Sequence, residues 1–164
     1  MVTKPTDALT FRRMRAGEQS AVMEVFEGLS ERSRRLRFHT AKPRLTEREL
    51  AALTSVGSSG REAVVAVEQS TGRVVGIARF IADASDEAEA EVGYAVVDEW
   101  QHRGLGRRLI VELGRLADWQ GVRRFRGLVV AGNAPALALL SHIGRVVERR
   151  YESGAIEVVV EIRP

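Results

Sequence analysis

The sequence predicts a mixed α/β fold, a twisted sheet of about seven strands with helices on both sides, and three observations carry that expectation. Short runs of alternating or β-branched apolar residues occur seven times, separated by segments whose apolar residues recur at helical spacing. Read in order, the elements run β-α-α-α-β-β-β-α-β-α-β-β. The third observation is the segment from Val96 to Leu109, where a hydrophobic strand runs through Gln101-His102-Arg103-Gly104-Leu105-Gly106 into an amphipathic helix.

Each element has its own local reason. Leu9 to Arg15 alternates enough for a first strand, and Gln19 to Leu29 and Ser30 to Arg37 read as short helices. Thr46-Glu47-Arg48-Glu49 is a capping box that starts a third helix toward Leu53. Val64, Val65 and Val67 mark a strand from Glu62 to Gln69, Ser70-Thr71-Gly72-Arg73 is a hairpin turn, and Val74 to Ala82 returns. After a polar loop from Ala84 to Glu87, Glu91 to Val97 forms the next strand. Gly104 to Gln120 is a helix with Leu105, Leu109, Leu113 and Leu116 on one face, and Phe125 to Val130 is a further strand. Asn133 to Ile143 is helical, with Pro135 in its first turn and Gly144 ending it. Val146 to Tyr151 and Ala155 to Ile162 close the chain as a hairpin around Ser153-Gly154.

Composition narrows the function classes. At 164 residues and 45% hydrophobic content the chain has the size of one domain, expected over 1–164. No run approaches the ~18 apolar residues of a membrane span, and no segment reads as a secretory signal, so a cytoplasmic address without a membrane partner is expected. The lack of cysteine excludes disulfides, thiolate metal sites and a cysteine nucleophile. Twenty-five basic residues face 22 acidic ones, with arginine runs at Arg34-Arg35, Arg123-Arg124 and Arg149-Arg150. These read as solvated surface rather than a nucleic-acid patch, because neither a reading helix nor aromatic stacking platforms accompany them. The spacing of His39, His102 and His142 fits no zinc site, and no metal is expected.

The turn before the long helix is suited to a pyrophosphate. Without Cβ atoms at Gly104 and Gly106, successive N–H groups can point into one concavity, where the positive end of the helix dipole adds to them. Arg103, Arg107 and Arg108 would add mobile charge; a tight connection with no ligand is the alternative reading. Gly-x-x-x-x-Gly-Lys-Ser/Thr is absent, and Leu109 stands where a dinucleotide fingerprint needs its third glycine.

What remains, Gln101-x-x-Gly104-x-Gly106, resembles the acetyl-CoA-binding motif of the GNAT superfamily of N-acetyltransferases. The order of elements is similar to that fold over essentially the whole chain. The resemblance implies a central, mostly antiparallel sheet of about seven strands flanked by helices. It also implies acetyl-CoA as cosubstrate, with the pyrophosphate on the main chain of Gln101 to Arg108, His102 included by location, and the pantetheine arm along the main chain of Val96 and Val97.

Alternation puts Glu91, Gly93 and Ala95 on one face of the strand, so its carboxylate looks across two small neighbours and an open floor. Glu91 could equally be the solvated start of a strand, with Gly93 marking a bulge. In the GNAT superfamily a glutamate about ten residues before the motif glutamine serves as general base, and Glu91 stands ten before Gln101. A base is needed because only about one lysine in a thousand is neutral at pH 7. The backbone N–H of Ala95 or Val96 is expected to polarise the thioester carbonyl, and transfer is expected to be direct, without an acyl-enzyme.

Asn133-x-x-Ala136-x-x-Leu139-Leu140-x-x-x-Gly144 is similar to the C-terminal GNAT motif, which implies that Asn133 contacts pantetheine; a plain N-cap is the other reading. Leu140 replaces the usual tyrosine acid and Arg145 the usual phenylalanine, leaving Ser141, Tyr94, water or no acid at all. The stretch from Leu29 to Phe38, with Pro43 to Leu50, is similar to the acetyltransferase domain of bacterial Pat-type protein-lysine acetyltransferases, although it would equally serve as a packing helix pair. That resemblance implies a protein lysine acceptor, such as on an acyl-CoA synthetase. A small amine (polyamine, aminoglycoside or amino acid) and an inactive acyl-CoA sensor are the alternatives.

Overall fold

The computed structural model describes residues 8–163 and has the expected order of elements: β1 (Leu9–Arg13), α1 (Gln19–Glu27), α2 (Glu31–Phe38), α3 (Glu47–Leu53), β2 (Arg61–Glu68), β3 (Val74–Ala82), β4 (Glu89–Val96), α4 (Leu105–Trp119), β5 (Arg124–Val130), α5 (Ala134–Ser141), β6 (Gly144–Glu152) and β7 (Ala155–Ile162). A single 3-10 turn, Asp98–Trp100, lies between β4 and α4. The seven strands form one sheet in the order β1-β2-β3-β4-β5-β7-β6. All neighbours are antiparallel except β4 and β5, which α4 joins by a crossover.

Several element ends differ from the sequence expectation for physical reasons. β1 stops at Arg13 because the chain turns next, closed by the Glu18 N–H on the Arg15 carbonyl at 3.1 Å. β4 starts at Glu89, where Glu89 and Ala90 find parallel partners in Arg124 and Phe125 that no local pattern announces. Gly144 opens β6 rather than only ending α5, since a Cβ there would lie 1.8 Å from the Glu161 carbonyl oxygen. The capping box forms as expected, with Thr46 Oγ1 accepting the Glu49 N–H at 3.2 Å and the Glu49 carboxylate accepting the Thr46 N–H at 2.8 Å.

The two faces of the sheet carry different helices. α4 lies against the face of Gly76, where a Cβ would meet Leu109 at 2.7 Å, and Leu105, Leu109, Ile110, Leu113 and Ala117 are all buried. Side chains of neighbouring residues alternate, so Ile77 and Arg79 face the other way, toward α1, which buries Ala21, Val22, Val25 and Phe26. No helix among the described residues is long and apolar enough to cross a membrane.

The feature that makes a site is a wedge. Parallel pairing of β4 with β5 lasts only from Glu89 to Glu91, yet β4 stays paired to β3 as far as Val96 and β5 stays paired to β7 as far as Val130. Beyond Glu91 the two strands therefore part, and the cleft-side main chain of β4 is left without a strand partner.

Candidate functional site

A cavity of about 440 Å³ fills the wedge. Glu91, Gly93, Tyr94, Ala95 and Val96 line it from β4, Gly127 to Val129 from β5, Asn133, Leu139 and Leu140 from the α5 side, and Gln101, His102, Gly104, Leu105, Gly106 and Arg107 from the turn before α4.

At the turn end, Gly104 has φ +80° and His102 φ +60°, left-handed conformations that swing the chain into α4. The amides of Leu105, Gly106 and Arg107 start the helix and have no carbonyl one turn back to bond, so they are free for an anion. Arg108 is already inside the helix, with its N–H on the Gly104 carbonyl at 3.2 Å. Its guanidinium lies 4.3 Å from the Phe11 ring centroid, on β1. The Arg103 guanidinium packs 5.4 Å from the Trp100 ring centroid, leaving Arg107 as the arginine of the turn that lines the cavity. Of the three arginines expected to add mobile charge, Arg107 is the one whose residue lines the cavity.

Gln101 holds the turn together. Its Nε2 donates to the Val96 carbonyl at 3.0 Å and to Ser33 Oγ at 3.2 Å, fastening the end of β4 to α2. Asp98 adds to that bridge by accepting the Ser30 N–H at 2.9 Å, while its own N–H donates to the Gly28 carbonyl at 3.0 Å. Burial alone would raise the Asp98 carboxyl, but hydrogen bonds from Ser30 and Ser33 hold it below the usual carboxylate range.

Strand register decides which amides face the wedge. The β3–β4 ladder carries Val97 N–H on the Val75 carbonyl at 3.0 Å at one end and Asp83 N–H on the Glu89 carbonyl at 2.8 Å at the other. Antiparallel pairing alternates, so the odd-numbered residues of β4 turn their main chain toward β3 and the even-numbered ones toward the wedge. Ala95, paired with Ile77, is therefore committed to the sheet and is corrected as a candidate oxyanion donor. The N–H groups of Tyr94 and Val96 point into the wedge. Val97 is corrected as well, because its N–H is spent on Val75, its carbonyl on the Trp100 N–H at 2.9 Å, and its side chain packs against Gly28.

Glu91 stands at the closed end of the wedge, exposed, at the last paired residue of β4 and β5. Its partner in register, Arg126, is paired instead with Glu89 and Asp83. The floor expected to be open beside it is partly covered, for a Cβ on Gly93 would meet Arg37 Nη2 at 2.8 Å. Sequence reasoning missed α2 as a wall of this site. The spacing of Ser33, Leu36 and Arg37, one face of a helix, was the available signal, and all three line the cavity together with His39. Burial and the neighbouring Arg37 push the His39 imidazole below its ordinary value.

On the opposite side, Asn133 caps α5, its Oδ1 accepting the Ala136 N–H at 3.4 Å, while still lining the cavity. Leu140, buried against Gly127, brings no proton donor where the GNAT pattern has one. Ser141 is exposed and donates to the Ala138 carbonyl at 2.5 Å, away from the cavity lining. Burial pushes the Tyr94 phenol up to about 12.

The comparisons with known proteins agree with this geometry. The pattern of the acetyltransferase (GNAT) family matches residues 24–144. The acetyltransferase Pat of Mycolicibacterium smegmatis is 31% identical over 100 residues, which cover 61% of this chain and 30% of that protein. The chain thus spans about a third of the length of that relative. The GNAT domain of S. lividans PAT superposes with a TM-score of 0.82 at 22% identity, covering 93% of this chain and 89% of that one. YncA of Salmonella typhimurium, solved with acetyl-CoA, superposes with a TM-score of 0.67 and 20% identity over 95% and 94% of the two chains.

Proposed function

Because the chain belongs to the acetyltransferase (GNAT) family, whose members take acetyl groups from acetyl-CoA, we propose that it acetylates a primary amine, and specifically a protein lysine. The observation that carries this reading is the wedge itself, with free helix amides at one end, an exposed carboxylate at the other, and unpaired main chain between them.

The residues present fit the donor. The amides of Leu105, Gly106 and Arg107 suit the two phosphates, and the wedge-facing main chain around Tyr94 and Val96 suits the amides of a pantetheine arm lying as an added strand. Bound there, acetyl-CoA supplies an activated acetyl carbonyl. Glu91 takes a proton from the acceptor ammonium, directly or through water, which its exposure favours, and so frees the neutral amine that attacks the carbonyl. The Val96 N–H donates to the carbonyl oxygen as charge builds on it. With Leu140 at the usual acid position, the departing thiolate takes its proton from solvent, in keeping with a thiol pKa near ~8.5.

Three features favour a protein lysine: the likeness to Pat, the exposure of Glu91 and the open mouth of the wedge. Incubating the protein with acetyl-CoA and a purified acyl-CoA synthetase, then mapping acetyl-lysine by mass spectrometry, tests it. Site-selective acetylation that needs Glu91 is expected; acetylation of spermidine or an aminoglycoside with no protein product would overturn the lysine reading, and acetyl-CoA binding without transfer to any amine would make the protein a sensor.

A further inference from the structure

Two half-buried arginines of this fold are well partnered. Arg34 donates to the Phe26 carbonyl at 3.1 and 3.3 Å and to the Pro43 carbonyl at 3.2 Å, and Arg126 is paired with Glu89 and Asp83. Arg37 differs from both. It makes no hydrogen bond or ion pair among the described residues; its guanidinium lies 5.1 Å from the Phe38 ring centroid and sits over Gly93. Arg79 stands opposite Gly93 in the β3–β4 ladder, with one long contact to the Ala52 carbonyl at 3.4 Å.

The two guanidiniums share a small cavity of about 30 Å³ walled by Val22, Phe26, Leu45 and Ile77, and Arg37 also lines the main cavity. Burial lowers both, Arg79 to about 10, with Arg37 and Arg61 adding to the fall of Arg79 and Glu91 opposing it for both. Two half-buried cations thus face a single carboxylate, and that carboxylate is the proposed base. Holding such charge in an apolar setting without donors satisfied is costly, and one more monovalent anion would balance it. A carboxylate presents two oxygens in the plane that a guanidinium fork bonds best.

We propose that Arg37 and Arg79 form a carboxylate-binding subsite beside Glu91, so that the preferred acceptor is an amine carrying a carboxylate close to the reacting nitrogen. This rests on the acetyl-transfer reading of the same cavity. The carboxylate comes either from an acidic residue flanking the acceptor lysine or from the α-carboxyl group of a free amino acid.

The experiment compares kcat/KM for blocked lysine peptides flanked by Asp or by Asn, and for free amino acids against their amides, with acetyl-CoA as donor. The carboxylate member of a pair is expected to be preferred by tenfold or more. That ratio should collapse toward one in Arg37→Gln and Arg79→Gln and survive in part in Arg37→Lys, which keeps the charge but loses the fork. In Gly93→Ala the new methyl group displaces a flexible guanidinium end, so the ratio should drop without a change in melting temperature. Equal use of Asp and Asn peptides, and of acids and amides, by an active enzyme overturns the subsite and leaves acetyl transfer standing. A preference that persists in both Gln variants also overturns it. A preference seen with free amino acids and no acetylated peptide supports the subsite and overturns the protein-lysine reading. No transfer to any acceptor by a protein that binds acetyl-CoA overturns both.

Discussion

The two ends of the wedge are made of different materials. At the turn, the proposed recognition is by main-chain amides that are neighbours in the chain, exposed by one left-handed glycine and by the start of α4. At the proposed acceptor end, Glu91, Arg37 and Arg79 come from β4, α2 and β3, and the proposed recognition is by side-chain charge. A backbone site depends on conformation and is tuned by few residues. A side-chain site depends on packing, and each member can be changed with the fold kept. The donor end therefore suits a cosubstrate common to a family and the acceptor end a substrate that varies.

The largest expected effect separates the two ends. Glu91→Gln should lower kcat by ~10²-fold or more near neutral pH while calorimetry shows unchanged affinity for acetyl-CoA, because it removes a proton acceptor and no contact to the turn. Little loss at pH 7 would move the base to His39, which Arg37 and burial hold toward its neutral form.

Next comes the donor end. Gly104 sits at φ +80° with open space around it, so Gly104→Val meets no clash but forces a β-branched residue into the left-handed region. The strain falls on an exposed turn rather than on the core. Affinity for CoA should drop by about tenfold or more while the protein remains folded by circular dichroism; a folded variant with unchanged affinity would remove the pyrophosphate from this turn.

This difference in material also decides what could be read in advance. The donor end was legible because its determinants are local: Gly104, Gly106 and the apolar stripe of α4 lie within one strand-turn-helix segment. The place of Glu91 in the lining of the wedge was legible because strand alternation and distance from Gln101 are both local counts. Arg37 was not, since an arginine in Glu31-Arg32-Ser33-Arg34-Arg35-Leu36-Arg37-Phe38 looks like solvated surface until α2 is docked against Gly93. That the amide of Val96 rather than that of Ala95 faces the wedge has the same origin, for the direction of an amide depends on how β4 is registered against β3.

A milder test exploits the charge at the acceptor end. Arg79 must be protonated to hold an anion, and its lowered value, about 10, means that the charge is lost as pH rises toward that point. Preference for the carboxylate acceptor should stay level from about pH 6 to 9 and decline above, while CoA binding through amides does not follow it. A preference that is level beyond about pH 11 would take Arg79 out of the subsite.

The smallest effect distinguishes the arginines of the turn from one another. Arg107 lines the cavity, whereas the Arg108 guanidinium rests on Phe11 and that of Arg103 on Trp100. A single charge near a helix start contributes about 0.3–1 kcal/mol, so Arg107→Gln should weaken CoA binding about two- to fivefold and lessen its dependence on salt. Arg108→Gln removes a side chain packed on β1 and should leave affinity and salt dependence as they are. Calorimetry at low and moderate ionic strength reads both. Equal losses in the two variants would mean that a general positive field attracts the phosphates, and that the aim of Arg107 into the wedge contributes nothing of its own.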